Sequence, residues 1–111
     1  MRSPEKSYDD RNIALSAYAK SLGHPARIAI IRTLIRIGEP VRGEVIEVPP
    51  LAPGTVIQHL RELKKAGLIE GRLFGPNSCY SVNWENLNAL IHNLDDFLAF
   101  VKENSSETDP E

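Results

Sequence analysis

The sequence predicts a mostly α-helical chain with one small β-hairpin, in the order α-α-α-α-β-β-α, and three observations predict it. Apolar residues recur every three or four positions over most of the 111 residues, two short strand-like runs flank the turn formers GPNS at 75–78, and glycine or proline marks most boundaries. A chain of this length makes one domain of modest core, a size at which pairing often supplies stability or function. Residues 1–103 are expected to form that domain, and NSSETDPE, 104–111, a disordered acidic tail.

The first helix is expected from Tyr8 to Leu22, where Ile13, Ala14, Ala17, Tyr18 and Leu22 fall at helical spacing and Gly23 closes the run. Pro25 suits the first position of a second helix, with His24 as an imperfect cap. Ile28, Ile31, Leu34 and Ile35 form its inward stripe, Arg27, Arg32 and Arg36 stay in solvent, and Gly38 and Pro40 end it. RGEVIEV, 42–48, has room for a short third helix before Pro49, Pro50 and Pro53 interrupt the chain.

PGTVIQHLRELKKAGLIEG, 53–71, holds the fourth helix, with Pro53 in its first turn. Val56, Leu60 and Leu63 supply its buried stripe at i, i+4 and i+7, and Gly67 stops it in the left-handed conformation that glycine tolerates. Opposite that stripe lie Thr55, Gln58, Arg61 and Lys65. LIEGRLF and CYSV then read as the hairpin strands. Asn83 caps a last helix in which Leu87, Leu90, Ile91, Leu94, Leu98 and Val101 repeat at three and four residues, with Trp84 expected to anchor it onto the body.

Charge is segregated. Residues 11–72 carry ten Lys/Arg against five acids, whereas 73–111 carry one against seven, within a formal net charge of −2. Such polarity suits an anionic partner at one face while the far end avoids it. No apolar run approaches the twenty residues of a membrane span and the amino terminus is polar, so a cytoplasmic protein is expected. Cys79 is the single cysteine, which leaves no intrachain disulfide, and it reads as a small half-buried residue rather than a thiol switch. No glycine-rich phosphate loop and no nucleophile beside a histidine at motif spacing is present, so no enzyme and no cofactor is expected.

The expected order is that of a winged helix-turn-helix, the hairpin being the wing. LGHPARIAIIRTL, followed by LAPGTVIQHLRELKKAGLIEG and CYSVN, resembles the ArsR-type bacterial transcriptional repressors over roughly residues 14 to 100. The resemblance implies a homodimer paired through its first and last helices, with the fourth helix of each subunit in the major groove and release of DNA when an inducer binds. It places Tyr18, Leu94, Phe97, Leu98, Phe100 and Val101 at the dimer interface. On the last helix, Leu94, Leu98 and Val101 fall toward one side and Phe97 and Phe100 toward another; one side packs the body and the other needs a partner.

Carried onto this chain, the reading helix sets Thr55, Gln58 and His59 near the groove and Arg61, Lys64 and Lys65 nearer phosphates, with Arg72 as the wing's phosphate candidate. Gln can pair bidentately with adenine, Thr can meet a thymine methyl, and Lys or Arg releases counterions from the backbone. The chain departs from its relatives in four places. Ala52, Pro53, Gly54 and Ile57 replace polar residues of the reading helix, and GPNS lacks the arginines common in the wing. Pro40, Val41, Arg42 and Gly43 stand where a Cys-x-Cys metal pair would be, and Trp84, Asn86, Phe97 and Phe100 where a last-helix zinc site would be. Soft cations need thiolates, so no thiolate-bound metal is expected and the inducer is open. His92, Asp95 and Asp96, at i, i+3 and i+4, share one helix face; nitrogen and carboxylate ligands so placed would suit zinc, nickel or manganese, while the plainer reading is a solvated acidic surface. The alternative is a winged-helix module for protein–protein contact, motivated by Ile57 and the reduced wing charge.

Overall fold

The computed structural model describes residues 8–72 and 79–105. The wing tip, 75–78, and residues 106–111 of the expected tail lie outside the described residues, as does the side chain of Arg72. Helix α1 is Asp10–Ser21, α2 Pro25–Ile37, α3 Pro53–Lys65 and α4 Trp84–Glu103. Strands β1, Val41–Arg42, β2, Ile69–Arg72, and β3, Cys79–Val82, form an antiparallel sheet in the order β1-β3-β2.

Capping sets the helix starts. Asp9 accepts from the Arg11 amide before α1, and His24 accepts from the Ala26 amide before α2, with Pro25 in the first turn. The His24 cap is therefore a formed hydrogen bond, at 3.0 Å. Asn83 does the same for α4 by accepting from the Asn86 amide. Gly38 ends α2 in the left-handed region, its amide donating to Leu34.

The expected third helix, 42–48, is not there. Val41 and Arg42 pair with Tyr80 and Cys79 as β1, and Gly43–Val45 makes a single 3-10 turn before the chain runs irregularly to Ala52. The β-branched Val41 gains more from the ladder than from a helix of two turns, and the two prolines at 49 and 50 prevent continuation. A Cβ on Gly43 would come within 2.9 Å of the Tyr80 ring, so the turn packs against β3 where no side chain fits.

The core is built around α3. Val56, Leu60 and Leu63 meet Ile30, Ile31 and Leu34 of α2, Ile46 of the irregular segment, Leu68, Ile69 and Tyr80 of the sheet, and Leu87 and Leu90 of α4. The inward stripe of α2 is thus Ala26, Ile30, Ile31 and Leu34, while Ile28 and Ile35, expected inside, are exposed. Both stripes fit a helical period; contact with α3 selects the one rotated toward Ala26 and Ile30. Helix α1 buries only Ser21, with Leu15, Tyr18 and Leu22 packed at the margin of the core.

Helix α3 ends in a Schellman turn. Gly67 takes φ +86°, its amide donates to Lys64, and the Leu68 amide donates to Leu63. Both Leu63 and Leu68 are fully buried, so the turn is closed by an apolar contact and delivers the chain directly into β2.

Candidate nucleic-acid interface

Burying Val56, Leu60 and Leu63 determines what α3 shows to solvent. At about 100° per residue, Thr55, Gln58, Arg61 and Lys65 fall on the opposite side, and all four are exposed. Ala52 provides no side-chain cap, so the helix begins on Pro53 and Gly54 with a bare, narrow entry. A Cβ on Gly54 would meet nothing within 4 Å, which leaves that entry open to a close-approaching surface. Lys65 lies 3.7 Å from Glu62, an exposed pair that a phosphate can replace at small cost.

The two other expected residues of this helix lie on its flanks. Lys64 is turned toward the sheet: its Cδ is 3.3 Å from where a Cβ on Gly71 would sit. It therefore stands over β2, beside the wing, and shares no face with Lys65. His59 is turned the other way, toward α2. Its Nδ1 accepts from the Arg27 Nε at 3.1 Å, and its ring centroid lies 4.6 Å from that of His24. Burial holds the His59 imidazole below the usual histidine range, and the neighbouring His24 and Arg27 push it the same way. Arg72 closes β2, opposite Cys79.

Arg27 is the residue missed in the sequence, where it reads as a solvated arginine. Besides His59 it binds the Ser21 carbonyl through Nη1 at 3.2 Å, so one half-buried guanidinium joins the end of α1 to the middle of α3. Its partner on α3 is 32 residues away, and no local pattern signals the pairing. Ile57, whose apolar character motivates the protein–protein reading, is half-buried. It packs against the core with its Cδ1 3.1 Å from a Cβ placed on Gly43, so it contributes to the fold and not to an exposed patch.

Beyond Leu90 the last helix leaves the body. Leu94, Leu98 and Val101 are exposed together with Ile91, and Trp84, expected to anchor the helix onto the body, is 55% exposed. These five lie along one side of α4 at spacings of seven, three, four and three, the period of a helix seam. Phe97 and Phe100 face elsewhere: with Leu15 and Asn12 of α1 they line an open groove of about 530 Å³, beside which Arg11 binds Asp96 at 3.3 Å. Tyr18 is half-buried and packs against the core.

Among the described residues, no group of three or more His, Cys, Asp or Glu is placed to hold a metal ion. Of the acidic face on α4, Asp96 is bound to Arg11. Cys79 is half-buried on β3. No helix among the described residues is long and apolar enough to cross a membrane.

Comparison with known proteins agrees with this geometry. Residues 24–70, from the cap of α2 into β2, match the family described as "Bacterial regulatory protein, arsR family". HTH-type transcriptional regulator YgaV of Escherichia coli (strain K12) is 29% identical over 79 residues, 71% of this chain and 80% of YgaV. Among solved structures, an ArsR-like transcriptional regulator from Rhodococcus sp. RHA1 superposes with a TM-score of 0.64 at 19% identity, over 86% of this chain and 97% of that one. The homodimeric winged helix-turn-helix DNA-binding domain of a possible ArsR-family regulator from Mycobacterium bovis superposes with a TM-score of 0.62 at 20% identity, over 97% of each chain. At such identities the two superpositions bear on the fold.

Proposed function

We propose that this chain, whose residues 24–70 match the bacterial ArsR regulatory family, is a homodimeric transcriptional repressor of that kind that reads duplex DNA with the outward face of α3. The observation that carries the reading is the division of that helix. Val56, Leu60 and Leu63 are locked in the core, and Thr55, Gln58, Arg61 and Lys65 are left exposed on a rigid support. Gln58 and Thr55 supply base-edge contacts near the open N-terminal end, and Arg61 and Lys65 neutralise phosphates. Lys64 extends the positive surface over β2.

Pairing follows from α4. A helix whose exposed side repeats Ile91, Leu94, Leu98 and Val101 buries that side by meeting its own copy about a two-fold axis. Two α3 helices related by that axis then address an inverted repeat, with half-sites roughly 34 Å apart. The partners are thus duplex DNA and a second copy, in the bacterial cytoplasm; the groove between α1 and α4 leaves the inducer unassigned, and no thiolate-bound metal enters this reading.

The test is selection from a random duplex library followed by fluorescence anisotropy. A selected sequence containing an inverted repeat, bound far more tightly than a scrambled duplex, is the expected result. Equal and weak binding of all duplexes at low salt would overturn the proposal.

A further inference from the structure

Arg27, His59 and His24 form a connection that the outward face of α3 does not use. The Arg27 guanidinium spans two elements, donating through Nη1 to the Ser21 carbonyl at the end of α1 and through Nε to His59 Nδ1 on α3. His24, its ring beside His59, accepts from the Ala26 amide through its own Nδ1. Each imidazole therefore acts as an acceptor at Nδ1, which a doubly protonated ring cannot do: both hydrogen bonds exist only while the rings are neutral, with the proton on Nε2. Protonating His59 would turn the Arg27 contact from a hydrogen bond into a cation facing a cation.

Resting on the DNA-binding reading above, we propose that Arg27 is a positioning residue which holds α3 at its working tilt against the α1–α2 junction while His59 is neutral, so that duplex binding weakens as pH falls. The position of His59 supports this. Its neighbours Val56, Leu60 and Leu63 are locked in the core and its outward neighbours Gln58 and Arg61 face solvent, so a displacement at His59 is carried by the helix to the residues that read DNA.

The charged groups around the link come from three elements. Lys20 at the end of α1 and Glu62 and Lys65 of α3 share a shallow notch with Arg27, and His24 faces His59 from the start of α2. Glu62 is held by Lys65, which leaves a surplus of positive charge on the Arg27 side. The direction of the His59 shift agrees: burial first, then His24 and Arg27, disfavour its charged form. A folded value below the unfolded one means that the neutral, linked state is fully present above about pH 6.5 and is lost as pH falls through the lower, folded value.

The sign separates this role from direct contact. A histidine touching phosphate binds DNA more tightly when protonated, whereas a histidine that must accept from Arg27 binds it less tightly.

Two measurements test the proposal. Long-range proton–nitrogen spectra of the imidazoles, on the protein alone at pH 7.5, should show His59 as the Nε2–H tautomer; the Nδ1–H tautomer would overturn the link irrespective of DNA. Anisotropy with a fluorescein-labelled duplex selected at pH 8 should then show affinity falling between pH 8 and pH 5.5, by less than about tenfold because His59 takes its proton below the usual histidine range. His59→Asn, whose Oδ1 takes the place of Nδ1 and accepts from Arg27 at any pH, should flatten that profile, and Arg27→Gln should lose affinity already at pH 8. Wild-type affinity that is constant or rises on acidification would overturn the proposal. Selection of no duplex at pH 8 together with the Nε2–H tautomer would overturn the DNA reading while supporting the link.

Discussion

Asn86 donates from its side-chain Nδ2 to the carbonyl oxygen of Gly67 at 2.7 Å, so the first turn of α4 grips the residue that ends α3. The same amide nitrogen would lie 2.9 Å from a Cβ on Gly67, whose φ of +86° already disfavours any L side chain. Gly67 is thus required twice, by its conformation and by its neighbour. Gly67→Ala is expected to destabilise the protein by about 2 kcal/mol, combining left-handed strain with displacement of Asn86. Asn86→Ala is expected to cost about 1 kcal/mol. Urea denaturation of both variants checks the order.

The two stripes available to α2 give opposite outcomes on truncation. Ile30 is fully buried and Ile28 is exposed. Ile30→Ala is expected to lose about 2–5 kcal/mol, and Ile28→Ala to remain within about 0.5 kcal/mol of the wild type. Denaturant midpoints at constant slope would establish this, and equal losses would mean that the helix is rotated from the position described.

Arg61 and Lys65 share the outward face of α3, whereas Lys64 lies over β2. Arg61→Ala and Lys65→Ala are each expected to weaken binding to every duplex and to lower the slope of log affinity against log salt by about 0.9. Gln58→Ala is instead expected to cost about 1–3 kcal/mol of discrimination at one base pair, leaving the salt slope unchanged. Anisotropy at four salt concentrations, on matched and single-mismatch duplexes, separates the two behaviours.

Leu94 and Leu98 are exposed on one side of α4, with Ile91 and Val101 in line. Replacing both leucines by glutamate is expected to give a folded monomer with unchanged helix content, because neither belongs to the core. Sedimentation velocity at micromolar concentration reads the oligomeric state, and circular dichroism the fold. A dimer that survives the double change would move the pairing surface away from this helix.

How much of this could be read in the amino-acid sequence depends on where each partner lies. Helix α3 was legible in full, since Val56, Leu60 and Leu63 repeat over three turns and Gly67 marks the end by itself. The segment after Pro40 was not: seven residues fit a short helix as well as a strand, and Val41 becomes β1 only because Tyr80 and Cys79, far along the chain, offer it a ladder. The apolar spacing of α4 was plain, but spacing does not say where the body beneath it stops, and that length decides whether Leu94 is core or surface. Arg27 was the least legible, because a guanidinium that bridges α1 and α3 has the same local sequence as one in water. The outward set on α3 followed from the buried set, while His59 and Lys64 needed α2 and β2 in place.

The strand order β1-β3-β2 gives the hairpin a mechanical property that a two-stranded arm lacks. Its returning strand is the middle of three, stitched along one edge to the segment that leaves α2 and along the other to the segment that leaves α3. A hinge at the base of the arm would have to break both ladders together, so swinging it independently is costly. Tilting α2, by contrast, drags Val41 and Arg42, and through them Cys79 and Tyr80. The arm behaves as a lever bolted at two points, and whatever reorients the helices reorients it in step.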